Sequence, residues 1–243
     1  MRLSEDIAKE QQAWATADSL EFYRSHRTRP EELYPSERLF LPELARQVRN
    51  CLDVGCAAGG FSDIMKAFNP SLSYTGVDII PRFVELARAA HPDGEFFVSD
   101  GVHLPFEPEG FDLVFSSGVL HLNSRYQDIV RACYSMCRRY LLCDFRLTEG
   151  PSVTGEMVVN FDEHSPPTPP LPYLVVNTEA LVAFLKRLTP RPASIQARGY
   201  NHAPSPEARI PLKEVTVAFF LISKGDGIQE TQVDLSLSER LDA

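Results

Sequence analysis

Between residues 50 and 146, short apolar runs alternate with longer stretches whose apolar residues recur at helical spacing. The runs predict strands at 50–54, 72–77, 95–99, 111–116 and 140–145, with helices at 59–68, 81–90 and 124–138. A helix between two strands lets the chain cross back over a sheet, so successive strands are expected to lie parallel in βαβ units. This alternation therefore predicts an α/β domain with a doubly wound, mostly parallel sheet.

The segment before this region predicts helices rather than strands. Residues 1–49 are expected to form an N-terminal helical cap with helices at 4–26 and 36–48, because apolar residues recur there at helical spacing. The core domain is expected to occupy residues 50–224.

The segment after residue 150 predicts three further features. A proline-rich stretch at about 151–176 is expected to be an irregular lid or insertion, since proline interrupts helices and central strands. Strands at 193–200 and 214–223 lie too close in sequence for a crossover helix and should pair as an antiparallel hairpin. The tail at 225–243 is polar and expected to be flexible.

The amino-acid composition limits the kinds of partner that this protein is expected to bind. The 243 residues include 24 Lys and Arg against 33 Asp and Glu, a net charge of −9, which disfavours binding to a phosphate backbone. The sequence has neither a signal-peptide pattern nor an apolar run of the roughly 18 residues that a membrane span needs. Its five cysteines follow neither CxxC nor zinc-pair spacing. A cytoplasmic protein is expected, with no nucleic-acid partner, membrane contact or metal.

The segment LDVGCAAGGFS, residues 52–62, lies between the first core strand and its helix. Small residues there let a ligand approach the backbone, and the following helix offers free amides. A nucleotide-type cofactor loop is therefore expected. The spacing departs from the dinucleotide pattern GxGxxG at Ala57. The candidate cofactor-binding residues are Asp53, Gly55, Cys56, Ala57, Gly59 and Phe61.

This stretch resembles the first motif of class I S-adenosylmethionine-dependent methyltransferases, a hydrophobic run followed by D/E-x-G-x-G-x-G. Asp53, Gly55 and Gly59 match that motif, and Ala57 stands where its middle glycine usually occurs. Because the alanine methyl group restricts positive φ, either this turn uses negative φ at Ala57 or the turn is slightly rebuilt.

The resemblance extends over residues 50–146 and implies more cofactor contacts. Asp78 resembles the acid that accepts both ribose hydroxyls, with Ile79 beside it, although Asp78 could instead cap the helix that begins near Pro81. Asp100 and Gly101, after the third strand, resemble the pair that binds adenine.

The fourth strand implies contacts at the other end of the cofactor. Ser116 and Ser117 end that strand and resemble the segment that passes beneath the methionine part of the cofactor and opens toward the acceptor. Four residues of the N-terminal region are candidates to contact the methionine carboxylate or the acceptor, or else to pack and solvate helices: Tyr23, His26, Arg29 and Tyr34.

Methyl transfer from a sulfonium mainly requires alignment of the two reactants, but a hydroxyl acceptor gains from a general base. His121, after the fourth strand, is a candidate catalytic base, with helix capping or packing as the alternative. His164, in the proline-rich segment, is a second candidate.

The resemblance implies a seven-stranded Rossmann-like methyltransferase fold with S-adenosyl-L-methionine as cofactor. The expected activity is methyl transfer to a small-molecule acceptor, with O-methylation preferred over N- or C-methylation. The alternatives are a non-catalytic protein that binds S-adenosylmethionine or S-adenosylhomocysteine, and an NAD-dependent dehydrogenase. The sequence leaves the acceptor and the oligomeric state open.

Overall fold

The computed structural model describes residues 5–159, 168–225 and 230–237. The helices are α1 Glu5–Trp14, α2 Ala17–Ser25, α3 Pro35–Arg38, α4 Leu41–Gln47, α5 Gly60–Phe68, α6 Pro81–Ala90, α7 Tyr126–Met136 and α8 Thr178–Leu185. Short 3₁₀ turns occur at Pro30–Glu32 and Leu120–Leu122.

Most of the strands form one main sheet, and three others form a smaller sheet beside it. The strands are β1 Asn50–Val54, β2 Ser73–Asp78, β3 Glu95–Val98, β4 Phe111–Ser116, β5 Cys137–Thr148, β6 Val153–Met157, β7 Leu171–Asn177, β8 Ser194–His202, β9 Ala208–Arg209, β10 Val215–Ser223 and β11 Glu230–Asp234. The main sheet has the order β11-β8-β10-β5-β4-β1-β2-β3.

Strands β1 to β5 pair in parallel, whereas β10 is antiparallel to both β5 and β8. The predicted α/β class, the mostly parallel sheet and the terminal hairpin are therefore confirmed. The expected seven strands correspond to β1–β5, β8 and β10. Among the described residues β11 adds a parallel strand beside β8, and β6, β7 and β9 lie off the main order.

Side-chain alternation along the central strands explains the layered core. Leu52 and Val54 of β1 point to a cluster that includes residues of α7 and α8, whereas Cys51 points to a cluster that includes residues of α4, α5 and α6. Adjacent residues of a strand face opposite sides, so both faces of the central sheet are buried. The carboxyl ends of β1, β2 and β4 thereby remain available at one edge of the layers.

The segment expected to be irregular at about 151–176 contains two strands, so that expectation is wrong at both of its ends. Strand β6 pairs antiparallel with β7, and β7 joins the main sheet through a short parallel pairing with β5. Pro172 lies in β7, opposite Glu156 and before the part of β7 that pairs with β5. One side of the strand is unpaired there, which is where a residue without an N–H is tolerated.

The helices of the N-terminal region are each interrupted once. The stretch predicted as one helix at 4–26 divides at Thr16, whose Oγ1 accepts the Ser19 amide at 3.2 Å and caps α2. The helix expected at 36–48 is divided into α3 and α4, with Pro42 in the first turn of α4, where its missing N–H costs little.

The polar tail also differs from its prediction, because Glu230–Asp234 form β11 at the edge of the main sheet. No helix among the described ranges has the length and apolar character needed to cross a bilayer.

Candidate functional site

The β1–α5 loop turns sharply through three left-handed residues. Gly55 has φ 88°, Ala57 φ 45° and Gly59 φ 85°. An added Cβ at Gly55 would lie 2.2 Å from Val119 Cγ2, and one at Gly59 would lie 2.8 Å from His91 Cδ2. Both positions therefore need glycine for conformation and for space. The loop keeps a positive φ at Ala57, so the negative φ considered from the sequence does not occur.

Asp78 holds this loop from the end of β2. Its Oδ2 accepts the Ala57 amide and its Oδ1 accepts the Ile80 amide, both at 2.9 Å. The residue is 9% exposed, and burial raises the pKa of its carboxyl to about 6. The helix-start contact expected as the alternative is present, and the same side chain also faces the cavity described below.

Asp100 organises the turn after β3. Its Oδ1 accepts the amides of Val102 and His103, while its Oδ2 lies 3.0 Å from His103 Nδ1 and 3.1 Å from Arg125 Nη1. Burial opposes ionisation here, but these hydrogen bonds from His103, Arg125 and Val102 outweigh it and lower the pKa of Asp100 to about 2. This carboxyl is therefore a fixed anion at physiological pH.

A cavity of about 360 Å³ lies over the carboxyl ends of the central strands, under the N-terminal helices. Most of the sequence-predicted cofactor residues line it, and these are Gly55, Cys56, Ala57, Phe61, Asp78, Ile79, Asp100, Gly101 and Ser117. The volume falls in the range of small-molecule sites, about 300 to 1,000 Å³. Open α/β sheets bind ligands at this same edge.

Three predicted cofactor residues lie outside this lining. The Asp53 carboxyl is buried behind the loop and accepts the Tyr74 hydroxyl, and burial raises its pKa to about 7. Ser116 Oγ donates to the Val54 carbonyl at 2.8 Å. Gly59 faces α6, since an added Cβ there would lie 3.2 Å from the Ala87 Cβ. Strand alternation explains the difference at Asp53, which shares its face of β1 with Cys51, whereas Val54 lines the cavity.

The first predicted base, His121, does not line the cavity. His121 is 7% exposed in the Leu120–Leu122 turn and packs edge-on against Tyr173, with 5.4 Å between ring centroids. Burial and the nearby Arg146 charge hold its pKa well below the usual value, and its Nδ1 has no hydrogen-bond partner among the described residues. His121 is absent from the cavity lining, so its geometry favours packing. His164 lies outside the described residues.

Helix α1 crosses the cavity and contacts both of its sides. Gln11 Nε2 donates to the Ile79 carbonyl after β2 at 2.9 Å. On the other side, Asn123 Nδ2, which follows β4 and its 3₁₀ turn, donates to the buried Glu10 Oε1 at 2.9 Å. Trp14, at the end of α1, packs between these contacts and lines the cavity. Sequence reasoning predicted the helix but not these contacts.

A buried ion pair lies between the N-terminal region and β4. Arg27 Nη2 lies 2.5 Å from Glu37 Oε1, and its guanidinium stacks 3.9 Å from the centre of the Tyr34 ring. Glu37 also accepts the Ser117 hydroxyl at 2.7 Å and the Tyr34 amide at 2.8 Å. Arg29, which the sequence had singled out, is an exposed residue paired with Glu32 instead.

Sequence reasoning missed Arg27 and Glu37. Both stand among other charged residues at short helices, a pattern typical of solvated surface. Their burial depends on how α3 packs against the sheet, so no local signal identified them. Among the described residues no group of three or more His, Cys, Asp or Glu side chains could hold a metal ion.

These features fit a nucleoside-containing cofactor. Two carboxylates end neighbouring strands, a turn of small residues approaches the cavity, and α5 begins with free amides beside it. A parallel sheet that ends in an antiparallel hairpin, with this site at the carboxyl ends of its strands, defines a Rossmann-like domain of the methyltransferase type.

The comparisons with known proteins agree with this class. The family described as "Methyltransferase domain" matches residues 52–140. Over these residues, which are less than half of its length, the chain is similar to methyltransferase domains.

Two curated relatives match part of the chain. The probable tRNA methyltransferase 9B of Homo sapiens is 34% identical over 105 residues, which are 43% of this chain and 22% of the relative. The phthiotriol/phenolphthiotriol dimycocerosates methyltransferase of Mycobacterium leprae (strain TN) is 37% identical over 76 residues, or 30% of this chain and 28% of the relative. The matched parts thus span less than a third of either relative.

A solved structure supports the fold over a longer range. The N-terminal domain of EvdMO1 with SAH bound has a TM-score of 0.57 and 14% sequence identity, and the match covers 79% of this chain and 82% of that chain. At this identity the likeness concerns the fold alone.

Proposed function

We propose that this protein transfers the methyl group of S-adenosylmethionine to a small-molecule acceptor, with a hydroxyl oxygen as the preferred accepting atom. The main support for this proposal is the cavity beneath the N-terminal helices. It extends from Asp78 and Asp100 at one end to Arg27, Tyr34 and Ser117 at the other. One end provides carboxylates for a nucleoside. The other provides polar side chains beside the end of β4.

Each residue set has a defined part in this proposal. Asp78 would hold the ribose hydroxyls, because a carboxylate accepts two hydrogen bonds. The turn at Gly101 would lie against adenine, with Asp100 fixing its conformation. S-adenosylmethionine supplies an activated methyl group when bound, so the protein mainly aligns the acceptor and excludes water. Helix α1 and the aromatic residues Trp14 and Tyr23 cover the cavity for that purpose.

Two observations support a small acceptor over a nucleic acid. The net charge of −9 provides no excess of cations for a phosphate backbone. Side chains of the N-terminal region, including Phe22 and Tyr34, also form part of the cavity wall, so the site is a pocket rather than a flat surface. The relatives favour different substrates by name, since one is called a tRNA methyltransferase and the other is named for phthiotriol dimycocerosates.

The cofactor half of the proposal is tested by titration calorimetry with S-adenosylhomocysteine, using NADH as the control ligand. Saturable binding that Asp78→Ala weakens about 10- to 100-fold is expected, the effect of losing hydrogen bonds to a charged group. Binding of NADH instead would support the dehydrogenase alternative and contradict the proposal.

The acceptor half is tested with radiolabelled S-adenosylmethionine and a panel of phenols, catechols, alcohols, carboxylic acids, amines, thiols and bulk tRNA. Methylation of a hydroxyl compound supports the proposal. Methylation of tRNA alone would refute the small-molecule acceptor. Tight S-adenosylhomocysteine binding without any methylated product would favour the non-catalytic alternative.

A further inference from the structure

Ser117 presents lone pairs, rather than a proton, to the cavity. The residue is half-buried at the carboxyl end of β4 and lines the cavity. Its hydroxyl donates to Glu37 Oε1 at 2.7 Å. A hydroxyl has one proton and two lone pairs, so a serine committed to a carboxylate can only accept hydrogen bonds from other groups. A ligand group that reaches Ser117 Oγ must therefore carry a proton.

Space is available next to this hydroxyl. Gly118 follows with φ 76°, and a Cβ added there would meet no atom of the described residues within 4 Å. The Gly118 amide donates to Asp144 Oδ1 at 2.7 Å, which fixes the backbone beside Ser117. The end of β4 is thus both rigid and open toward a ligand.

Glu37 is a suitable proton acceptor behind Ser117. Its side chain is 0% exposed, so Ser117 is its polar connection with the cavity besides Arg27. Burial raises the pKa of Glu37, although Arg27, Ser117 and the Tyr34 amide oppose this by stabilising the anion. A raised pKa makes the carboxylate a stronger proton acceptor than an exposed glutamate, and the Arg27 ion pair favours its anionic form.

The charge balance of methyl transfer to a hydroxyl also fits this pair. The reaction converts a sulfonium cation into a neutral thioether and releases one proton. A proton moved to Glu37 keeps that positive charge within the same buried site. The ion pair with Arg27 holds the carboxylate in place before the proton arrives.

We propose that Ser117 and Glu37 form the proton-accepting pair for a hydroxyl acceptor, with Ser117 as the catalytic residue that contacts the substrate. The acceptor oxygen forms a bond to the methyl carbon as the carbon–sulfur bond breaks and its electron pair stays on sulfur. The acceptor proton passes to Ser117 Oγ while the Ser117 proton passes to Glu37 Oε1. This inference rests on the proposed function and adds a relay that replaces His121.

Other ionisable groups surround Glu37 and influence its titration. Arg27, Asp53 and Tyr200 interact electrostatically with Glu37, and the Tyr34 amide donates to it. Asp144 and Arg146 of β5 act indirectly, through Arg27 and Tyr34. A pH profile must therefore be compared between variants rather than interpreted from the wild type alone.

The first test compares two serine substitutions in the full chain. Ser117→Ala should lower kcat with phenol about 100-fold or more, the usual contribution of a general base, while S-adenosylhomocysteine affinity changes less than about threefold. Ser117→Thr, which keeps a hydroxyl, should restore most of the rate. Ser62→Ala is the matched control. Ser62 is a buried serine of α5 that does not line the cavity, and its hydroxyl has no partner in the part of the chain that the structure describes.

The second test changes the acceptor instead of the protein. Phenol ionises near pH 10, like tyrosine, and needs a base, whereas 4-nitrophenol is already largely ionised at about pH 8. The loss of rate in Ser117→Ala should therefore be at least about tenfold smaller with 4-nitrophenol. Glu37→Gln should show the same difference and lose the acid limb of the kcat profile, with calorimetric S-adenosylhomocysteine binding as its control for folding.

The outcomes separate this inference from the proposed function. Wild-type methylation of phenols with an unchanged rate in Ser117→Ala overturns the relay and leaves the proposed function standing. Equal losses with phenol and 4-nitrophenol also overturn the relay, because a merely structural defect affects both acceptors alike. A wild type that methylates only thiols, amines or tRNA, or nothing, overturns the hydroxyl-acceptor proposal and the relay with it.

Discussion

The buried carboxyl of Asp53 gives a quantitative test of the structure. Asp53 lies beneath the β1–α5 loop and is 1% exposed, and its carboxyl accepts a hydrogen bond from the Tyr74 hydroxyl. Burial raises its pKa from the ordinary 3.8 to about 7. At about 1.4 kcal/mol for each pH unit, ionising this group in the folded protein costs about 4 kcal/mol relative to the unfolded chain.

The sign of the resulting pH dependence is fixed. Between about pH 4 and pH 7 the folded protein retains a proton on Asp53 that the unfolded chain has released, so stability falls as pH rises. From about pH 4.5 to about pH 8, this group removes about 3 kcal/mol from the free energy of unfolding. Asp53→Asn keeps an oxygen for Tyr74 and removes the ionisation, so the variant should gain about 3 kcal/mol on the wild type over that range.

Urea denaturation at several pH values measures this difference directly. Asp128→Asn serves as the control, since the Asp128 side chain is 59% exposed on α7 and pairs with the similarly exposed Arg131. Asp53→Asn should also bind S-adenosylhomocysteine as the wild type does, because its carboxyl is turned away from the cavity. Parallel stability curves for the two proteins, or a large loss of affinity in Asp53→Asn, would refute the placement of this residue.

Three further outcomes are expected. The affinity of the wild type for S-adenosylhomocysteine should fall below about pH 6, where Asp78 becomes protonated and loses its charge toward ribose, as pH-dependent calorimetry would show. Ala57→Gly should keep the unfolding free energy or raise it by up to about 1 kcal/mol, because glycine relieves the left-handed φ of 45°, and a clear loss in a thermal melt would contradict this. Gly60→Ala would place a Cβ 2.4 Å from the Arg27 carbonyl oxygen and should destabilise the protein by about 1 to 3 kcal/mol in the same melt, whereas Gly150→Ala, with its nearest contact at 3.6 Å, should have little effect.

The central sheet could be predicted because its determinants are local. Each strand is a short apolar run between turn residues, and each helix repeats apolar residues on one face, so β1 to β5 were located from the sequence within a few residues. The positions of Asp78 and Asp100 followed from the ends of those strands. Their hydrogen bonds to the Ala57 and His103 amides were not predictable, since they depend on how the loops close.

In the N-terminal region the helices were predictable but the buried ion pair was not. Arg27 and Glu37 stand among charged residues, as is typical of solvated helix ends, and they are buried only because the region packs on the sheet. The prolines led to the prediction of an irregular segment where strands β6 and β7 form. Proline argues against a strand only where that strand is paired on both sides. Ser117 was identified by its place after β4, whereas its partner Glu37 lies 80 residues away in sequence.

The bridge that α1 makes between Ile79 and Asn123 has a consequence for turnover if the cofactor enters and leaves past this helix. On that route the hydrogen bonds of Gln11 and Glu10 have to break before a cofactor lying over the loop is released. Helix opening then becomes a step common to loading S-adenosylmethionine and releasing S-adenosylhomocysteine. In such a protein a substitution that loosens α1 speeds product release while weakening cofactor affinity, so turnover is fastest at an intermediate strength of that bridge.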